Sequence, residues 1–241
     1  GKRIQQKVPL TASATKQINT FDDFTFYEKE EISLLAAGTQ WFGKSNFNIE
    51  NAQNFKIPFP NALPNGDISI KVRGVSTSVS ASTMEVQING APIYTLNYAA
   101  VNSLSLTKAS TSERKASIQN SAKIIDVSIS YNNNGNPSAN AYLDYIEVVG
   151  KKQLVAAGNQ FSFRSFEQAN ASDVIEYDIQ NNTNIFQVWD VSNSIAPQNI
   201  TNEDTGADFK FKDDSGSLKE YVVLNQNDYY IPKSIQNGKV P

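Results

Sequence analysis

Apolar side chains alternate with polar ones along most of this chain, and that period of two constrains its fold more than any other feature. Between Asp67 and Arg73, Ile68, Ile70 and Val72 alternate with polar partners, and Met84, Val86 and Ile88 do the same between Thr83 and Ile88. Ile125, Val127, Ile129 and Tyr131 form one face of the run from Lys123 to Tyr131, opposite Asp126, Ser128 and Ser130. Successive residues of a strand point to opposite faces, so these runs predict half-buried strands. Their β-branched and aromatic residues suit a pleated surface.

Turn chemistry separates the runs. Asn89-Gly90 lies between Ile88 and the run from Ile93 to Tyr98. Asn and Gly tolerate the positive φ of a type I′ turn, which predicts a hairpin there. Asn132-Asn133-Asn134-Gly135 and Asp213-Asp214-Ser215-Gly216 divide two further pairs of runs, and Pro58, Pro60, Pro64 and Asn65-Gly66 punctuate the stretch before Ile68. Short strands joined by such turns predict an all-β chain: a jelly-roll-like antiparallel β-sandwich followed by a second, smaller β unit. Composition shifts near Lys151-Lys152, which places the sandwich at residues 21–155 and the smaller unit at 156–241. A single larger sandwich is the alternative. The polar first 20 residues carry no aromatic side chain and are expected to form an extended arm. Glu28 to Ala37, ending before Gly38, has the propensity of a short helix, which a β context can override.

The 241 residues include no cysteine and no histidine. That excludes thiolate nucleophiles, disulfides, imidazole or thiolate zinc sites and triads built on histidine. Acid–base chemistry would have to rest on carboxylates, lysine or tyrosine. With 21 Lys+Arg against 24 Asp+Glu, the net charge of -3 argues against a nucleic-acid partner, which needs a clustered basic excess. No apolar run approaches the roughly 20 residues of a membrane-spanning helix. The chain opens on Gly1 and its one methionine is Met84, which is expected of a processed or engineered piece.

Candidate sites are few. Asp22-Asp23 and Asp213-Asp214 are acidic pairs. Asp213 and Asp214 are weak calcium candidates, since hard cations want several oxygens, but beside Ser215-Gly216 they also read as ordinary turn residues. Glu85, Asp126, Asp144 and Glu147 lie on expected strands, where solvent-facing or paired roles outweigh a glycosidase pair. No nucleophile elbow, phosphate loop or zinc-peptidase motif occurs. The densest aromatic clusters hold Trp41 and Phe42, then Tyr142 and Tyr145, with Trp189 further on. They are expected in the core, with stacking platforms for sugar rings as the functional alternative. Three matches to the glycosylation sequon, at Asn170, Asn182-flanking Asn181 and Asn199, are what chance supplies in an Asn-rich chain.

One ordered set of motifs carries a resemblance. Leu34-Leu35-Ala36-Ala37-Gly38-Thr39-Gln40-Trp41-Phe42-Gly43 is followed by Val86-Gln87-Ile88-Asn89-Gly90 and then by Ala141-Tyr142-Leu143-Asp144-Tyr145-Ile146-Glu147-Val148. Phe161-Ser162-Phe163-Arg164-Ser165, Val188-Trp189-Asp190-Val191-Ser192-Asn193 and Glu220-Tyr221-Val222-Val223-Leu224 complete it. From Phe24 to Pro241 this order resembles the region upstream of the peptidase domain in PorU-type proteins. These are the gingipain-like cysteine-peptidase sortases of the type IX secretion system in Bacteroidetes.

The resemblance implies a cell-surface, outer-membrane-associated location. It also implies a peptidase domain with a Cys-His dyad beyond Pro241, and the outer-membrane barrel PorV and cargo sorting domains as partners. No catalytic residue transfers to a chain without Cys or His, and no cofactor is implied. The expected function is therefore a non-catalytic accessory β region that positions the peptidase and docks partner or cargo. The alternative is a carbohydrate-binding module recognising surface polysaccharide.

Overall fold

The computed structural model describes residues 3–35, 38–102, 104, 107–157, 160–170 and 172–229. Sixteen strands follow in chain order: β1 Gln5–Gln6, β2 Lys16–Ile18, β3 Thr20–Glu28, β4 Ala52–Pro58, β5 Gly66–Ser76, β6 Ser82–Ile88, β7 Ala91–Tyr98 and β8 Ser110–Asn120. Then come β9 Ile124–Asn132, β10 Ala141–Gln153, β11 Phe161–Arg164, β12 Val174–Ile179, β13 Gln187–Asp190, β14 Gln198–Ile200, β15 Phe209–Asp214 and β16 Glu220–Leu224. Two short 3-10 turns, Phe166–Asn170 and Asn182–Asn184, are the helical elements among the described residues. The chain is all-β, as its alternation predicts.

It divides into two compact units. The sandwich unit, Asp22–Gln153, is continuous in sequence; the split unit joins the residues up to Phe21 with those from Leu154 onward.

In the sandwich unit, one sheet runs β3-β10-β5-β8 and the other β4-β9-β6-β7. Counted along the unit, these are strands one-eight-three-six and two-seven-four-five. Each strand thus crosses to the opposite sheet or turns back as a hairpin, which is the jelly-roll order. The hairpin predicted at Asn89-Gly90 joins β6 to β7, with φ of 50° and 81° at the two turn residues. The alternating residues fill one core: Ile68, Ile70, Val72, Met84, Val86, Ile125 and Val127 are all buried. Within it the hydroxyls of Ser82 and Tyr131 each lie 2.9 Å from Ser76 Oγ, so these buried polar atoms satisfy one another.

In the split unit, the sheets run β1-β14-β13-β16-β11 and β15-β12-β2. The described residues of the extended arm expected over 1–20 take part in both sheets. Gln5–Gln6 pairs parallel with Gln198 and Asn199, and Lys16–Ile18 pairs parallel with Ile175 to Tyr177. The polarity that suggested an arm belongs to outward side chains on two edge strands. Gln17 donates to Glu176 at 2.9 Å and Gln6 to Thr201 Oγ1 at 2.6 Å, while Ile18 is buried in the core.

The helical propensity of residues 28–37 is also overridden, with Ala36 and Ala37 lying outside the described residues. β3 extends to Glu28, and Ile32 and Phe42 then exchange backbone hydrogen bonds of 3.0 and 2.8 Å as an isolated antiparallel bridge. Pairing and burial of Phe42 outweigh a weak local preference.

Candidate functional site

The sandwich unit gathers its chemistry on the outer face of β3-β10-β5-β8. A register shift between Leu143 and Tyr145 re-aims β10, so that Ile146 and Val148 point inward and Tyr145 and Glu147 outward. Tyr145 then stands opposite Arg73, which stands opposite Glu113 of β8. The Tyr145 hydroxyl donates to Glu113 Oε2 at 2.6 Å. Arg73 Nε reaches Asp144 Oδ2 at 3.1 Å, and Lys71 Nζ reaches Glu147 Oε1 at 3.3 Å while lying 5.5 Å from the Tyr145 ring centroid.

Charges on this face are thus paired across three strands. The hydrogen bond to Glu147 holds the Lys71 ammonium above its ordinary pKa. Partial burial, assisted by Glu113, raises the Tyr145 phenol, and burial raises the Asp144 carboxyl against the pull of Arg73. The four strand carboxylates considered above form no catalytic pair. Asp144 and Glu147 share this face but each is held by its own cation, whereas Glu85 and Asp126 belong to the other sheet.

The other candidate aromatics do not converge with Tyr145. Tyr142 is half-buried at the start of β10. Trp41 is 43% exposed on the segment before the Phe42 bridge, and Phe42 is buried. Phe42 and Val75, with Leu34, Leu35, Thr107 and Lys108, line a cavity of about 460 Å³ at that end of the sandwich. Trp189 belongs to the split unit. It is half-buried, donates to Gln187 Oε1 at 3.0 Å, and lies against Tyr229 with centroids 6.4 Å apart and planes at 55°.

Asp213 and Asp214 diverge. Asp213, only 1% exposed, accepts from Lys7 Nζ and, at 2.7 Å, from the Tyr221 hydroxyl, while Asp214 takes Lys219 at 3.0 Å. Lys7 also reaches Asp190 Oδ2 at 2.6 Å, so an ammonium lies between two carboxylates where a cation would be sought. Among the described residues no group of three or more acidic side chains converges on a metal-sized site.

Two outward residues of β3 escaped sequence reasoning. Phe24 and Phe26 are 49% and 59% exposed, with rings 6.4 Å apart and planes within 10° of parallel. Phe24-Thr25-Phe26-Tyr27 carries apolar rings on both faces of one strand, with Tyr27 against the core, and that surplus was the available signal.

The fold matches part of PorU. The crystal structure of dimeric latent PorU from Porphyromonas gingivalis superposes over 94% of this chain with a TM-score of 0.75 at 17% identity. The chain spans 22% of that protein's length. At such identity the likeness is one of fold, and it extends across both units. Two carbohydrate-binding modules also overlap: CBM36, in complex with calcium and xylotriose, over 52% of the chain, and CBM35 from Cellvibrio japonicus Abf62 over 54%. Their TM-scores of 0.33 and 0.35 are too low to establish a common fold. No protein-family model and no curated protein sequence matches.

Proposed function

We propose that this chain is a non-catalytic β region of a PorU-type sortase, acting by docking. It holds the peptidase domain of its parent in place and engages the outer-membrane barrel PorV or the sorting domains of secreted cargo at the cell surface. The observation that carries the reading is the fold match to PorU across nearly the whole chain. Two features support it. The sequence contains no cysteine or histidine from which a Cys-His dyad could be built. On β10, β5 and β8 the outward polar groups Tyr145, Glu113, Lys71, Glu147, Arg73 and Asp144 are engaged with one another, which suits a recognition surface better than a reaction centre.

The test is direct binding of the purified chain to PorV and to cargo sorting domains, with surface polysaccharide as a third arm. Saturable binding to PorV or a sorting domain is expected. Binding to polysaccharide alone would replace this reading with the carbohydrate-binding one, and binding to none of the three would remove the docking role.

A further inference from the structure

Four strands close the edges of the sandwich unit: β3 and β8 on one sheet, β4 and β7 on the other. An edge strand offers unpaired N–H and C=O groups to any other strand, and folded proteins block such edges with charge, proline or a bulge. Three of these edges are blocked in that way. β8 carries Glu113, Arg114 and Lys115 in succession, all exposed. β4 presents Lys56 outward and ends at Pro58. β7 contains Pro92 and pairs with β6 through a register shift.

β3 is different. Its part in this unit, Asp22 to Glu28, holds neither proline nor glycine. Its outward positions hold the parallel, half-exposed rings of Phe24 and Phe26. Two of its acidic residues are neutralised from β10, Asp22 by Lys151 at 3.1 Å and Asp23 by Lys152 at 2.7 Å. Past the rings, Glu28 and Glu30 are exposed, and neither forms an ion pair among the described residues. Glu28, Glu113 and Glu30 all act on Asp144 as like charges against Arg73, and Lys29 lies between the two exposed glutamates.

We propose that β3 is the docking edge of the sandwich unit and takes up an extended, basic segment of a partner polypeptide. The added strand continues the sheet through backbone hydrogen bonds. Its alternate apolar side chains lie beside Phe24 and Phe26, and its lysines or arginines meet Glu28 and Glu30. Strand addition draws affinity from the main chain and selectivity from alternate side chains, and this edge supplies both. The inference rests on the docking reading above and names the surface and the chemistry of the partner.

Two labelled nonapeptides test it, each with valine at alternate positions and either lysine or glutamate between. The intact chain is titrated with each by fluorescence anisotropy, and amide hydrogen exchange locates the contact. The lysine peptide is expected to bind more than about tenfold tighter than the glutamate peptide and to weaken in about 0.5 M salt. Protection should rise across β3. Phe24→Ser with Phe26→Ser should weaken binding by about tenfold or more with an unchanged circular dichroism spectrum. Glu28→Gln with Glu30→Gln should erode the preference for lysine. The exchange map needs no substitution, so a poorly folding variant does not stall the test.

Equal affinity for both peptides, no binding of either, or protection away from β3 overturns the proposal, as does self-association of the chain through Phe24 and Phe26. If PorV or a sorting domain binds while the peptides do not, only this inference falls. If the lysine peptide binds while PorV and cargo do not, the broader docking reading falls instead.

Discussion

The two units bury comparable numbers of strands by different means. The sandwich unit is one continuous stretch, with β6-β7 as its hairpin and its other sheet pairings between strands distant in sequence, and its core is mainly aliphatic, with Ile68, Ile70, Val72, Val86 and Val127 facing one another. The split unit is closed by segments far apart in sequence, and its core is a stack of rings. Phe163 and Tyr221 lie 4.9 Å apart, Tyr177 and Phe211 5.0 Å, and Phe211 and Tyr221 5.1 Å. It also contains the Lys7, Asp190, Asp213 and Tyr221 network, in which an N-terminal lysine compensates carboxylates from β13 and β15. A unit built from one continuous stretch can rely on shape and alternation. A unit joined across more than a hundred residues must also specify which distant segment belongs at its edge, and a buried charge pairing provides that discrimination.

This contrast breaks first if the units do not melt independently. Phe163→Ala removes the ring packed on Phe161, Tyr177 and Tyr221 and is expected to cost the split unit about 3–5 kcal/mol. Ile70→Ala, at a fully buried site of the sandwich, is expected to cost that unit about 2–5 kcal/mol. Trp41 reports on the sandwich and Trp189 on the split unit, so single-tryptophan variants separate the two transitions by fluorescence. A shift of both transitions by either substitution would show one cooperative body.

Next in size is the charge network. Lys7→Met leaves Asp190 without its ammonium and the buried Asp213 with Lys219 at 3.8 Å, and is expected to destabilise the split unit by about 3 kcal/mol. Lys71→Met removes an ion pair from the exposed sheet face of the sandwich, where about 1 kcal/mol or less is expected. Urea unfolding of the two variants, followed at the two tryptophans, gives the ratio. Equal losses would mean that the Lys7 network is no more buried in effect than a surface pair.

The same division explains what was legible in the sequence. Ile68 to Val72, Met84 to Ile88 and Ile125 to Tyr131 announce their strands because each has one wet and one dry face, and Asn89-Gly90 announces its own hairpin. Order along the chain then fixes the jelly roll. The parallel pairings of β1 and β2 leave no such trace, because no turn links them to β14 and β12 and most of their side chains are exposed polar groups. Lys7 was invisible for the same reason: its partners lie 183 and 206 residues away. The aromatic candidates were only partly legible. Alternation placed Tyr145 and Trp189 on strands, but the bulge that turns Tyr145 outward depends on the pairing of β10 with β5. Phe24 and Phe26 were not singled out at all, and they occupy the outer face of an edge strand.

The smallest expected effect concerns acid, where carboxylates of the split unit oppose one another. Asp190 would be raised by burial, but Lys7 and the backbone N–H of Ser192 hold it below its ordinary value. Asp214 is lowered to about 2 by its hydrogen bonding with Asp213 and by Lys219. A carboxylate depressed in the folded chain lends stability above its unfolded value of about 3.9, and that stability is lost as pH falls through the folded value. Asp213 goes the other way: burial, with Asp214 beside it, raises its carboxyl. Its folded form gains the proton first, so its contribution grows as pH falls through the raised value and offsets part of the loss from Asp190 and Asp214. Asp213→Asn removes the offset. The variant lacks that gain, so it is expected to differ in slope from the wild type as pH falls towards about 4, where the wild type recovers split-unit stability and the variant does not, and to run parallel to it below about pH 4. Urea midpoints at the Trp189 signal, taken at successive pH values, give the two slopes. Equal slopes above about pH 4 would show that Asp213 titrates as an ordinary surface carboxylate, and that the polar network does not set the split unit apart in acid.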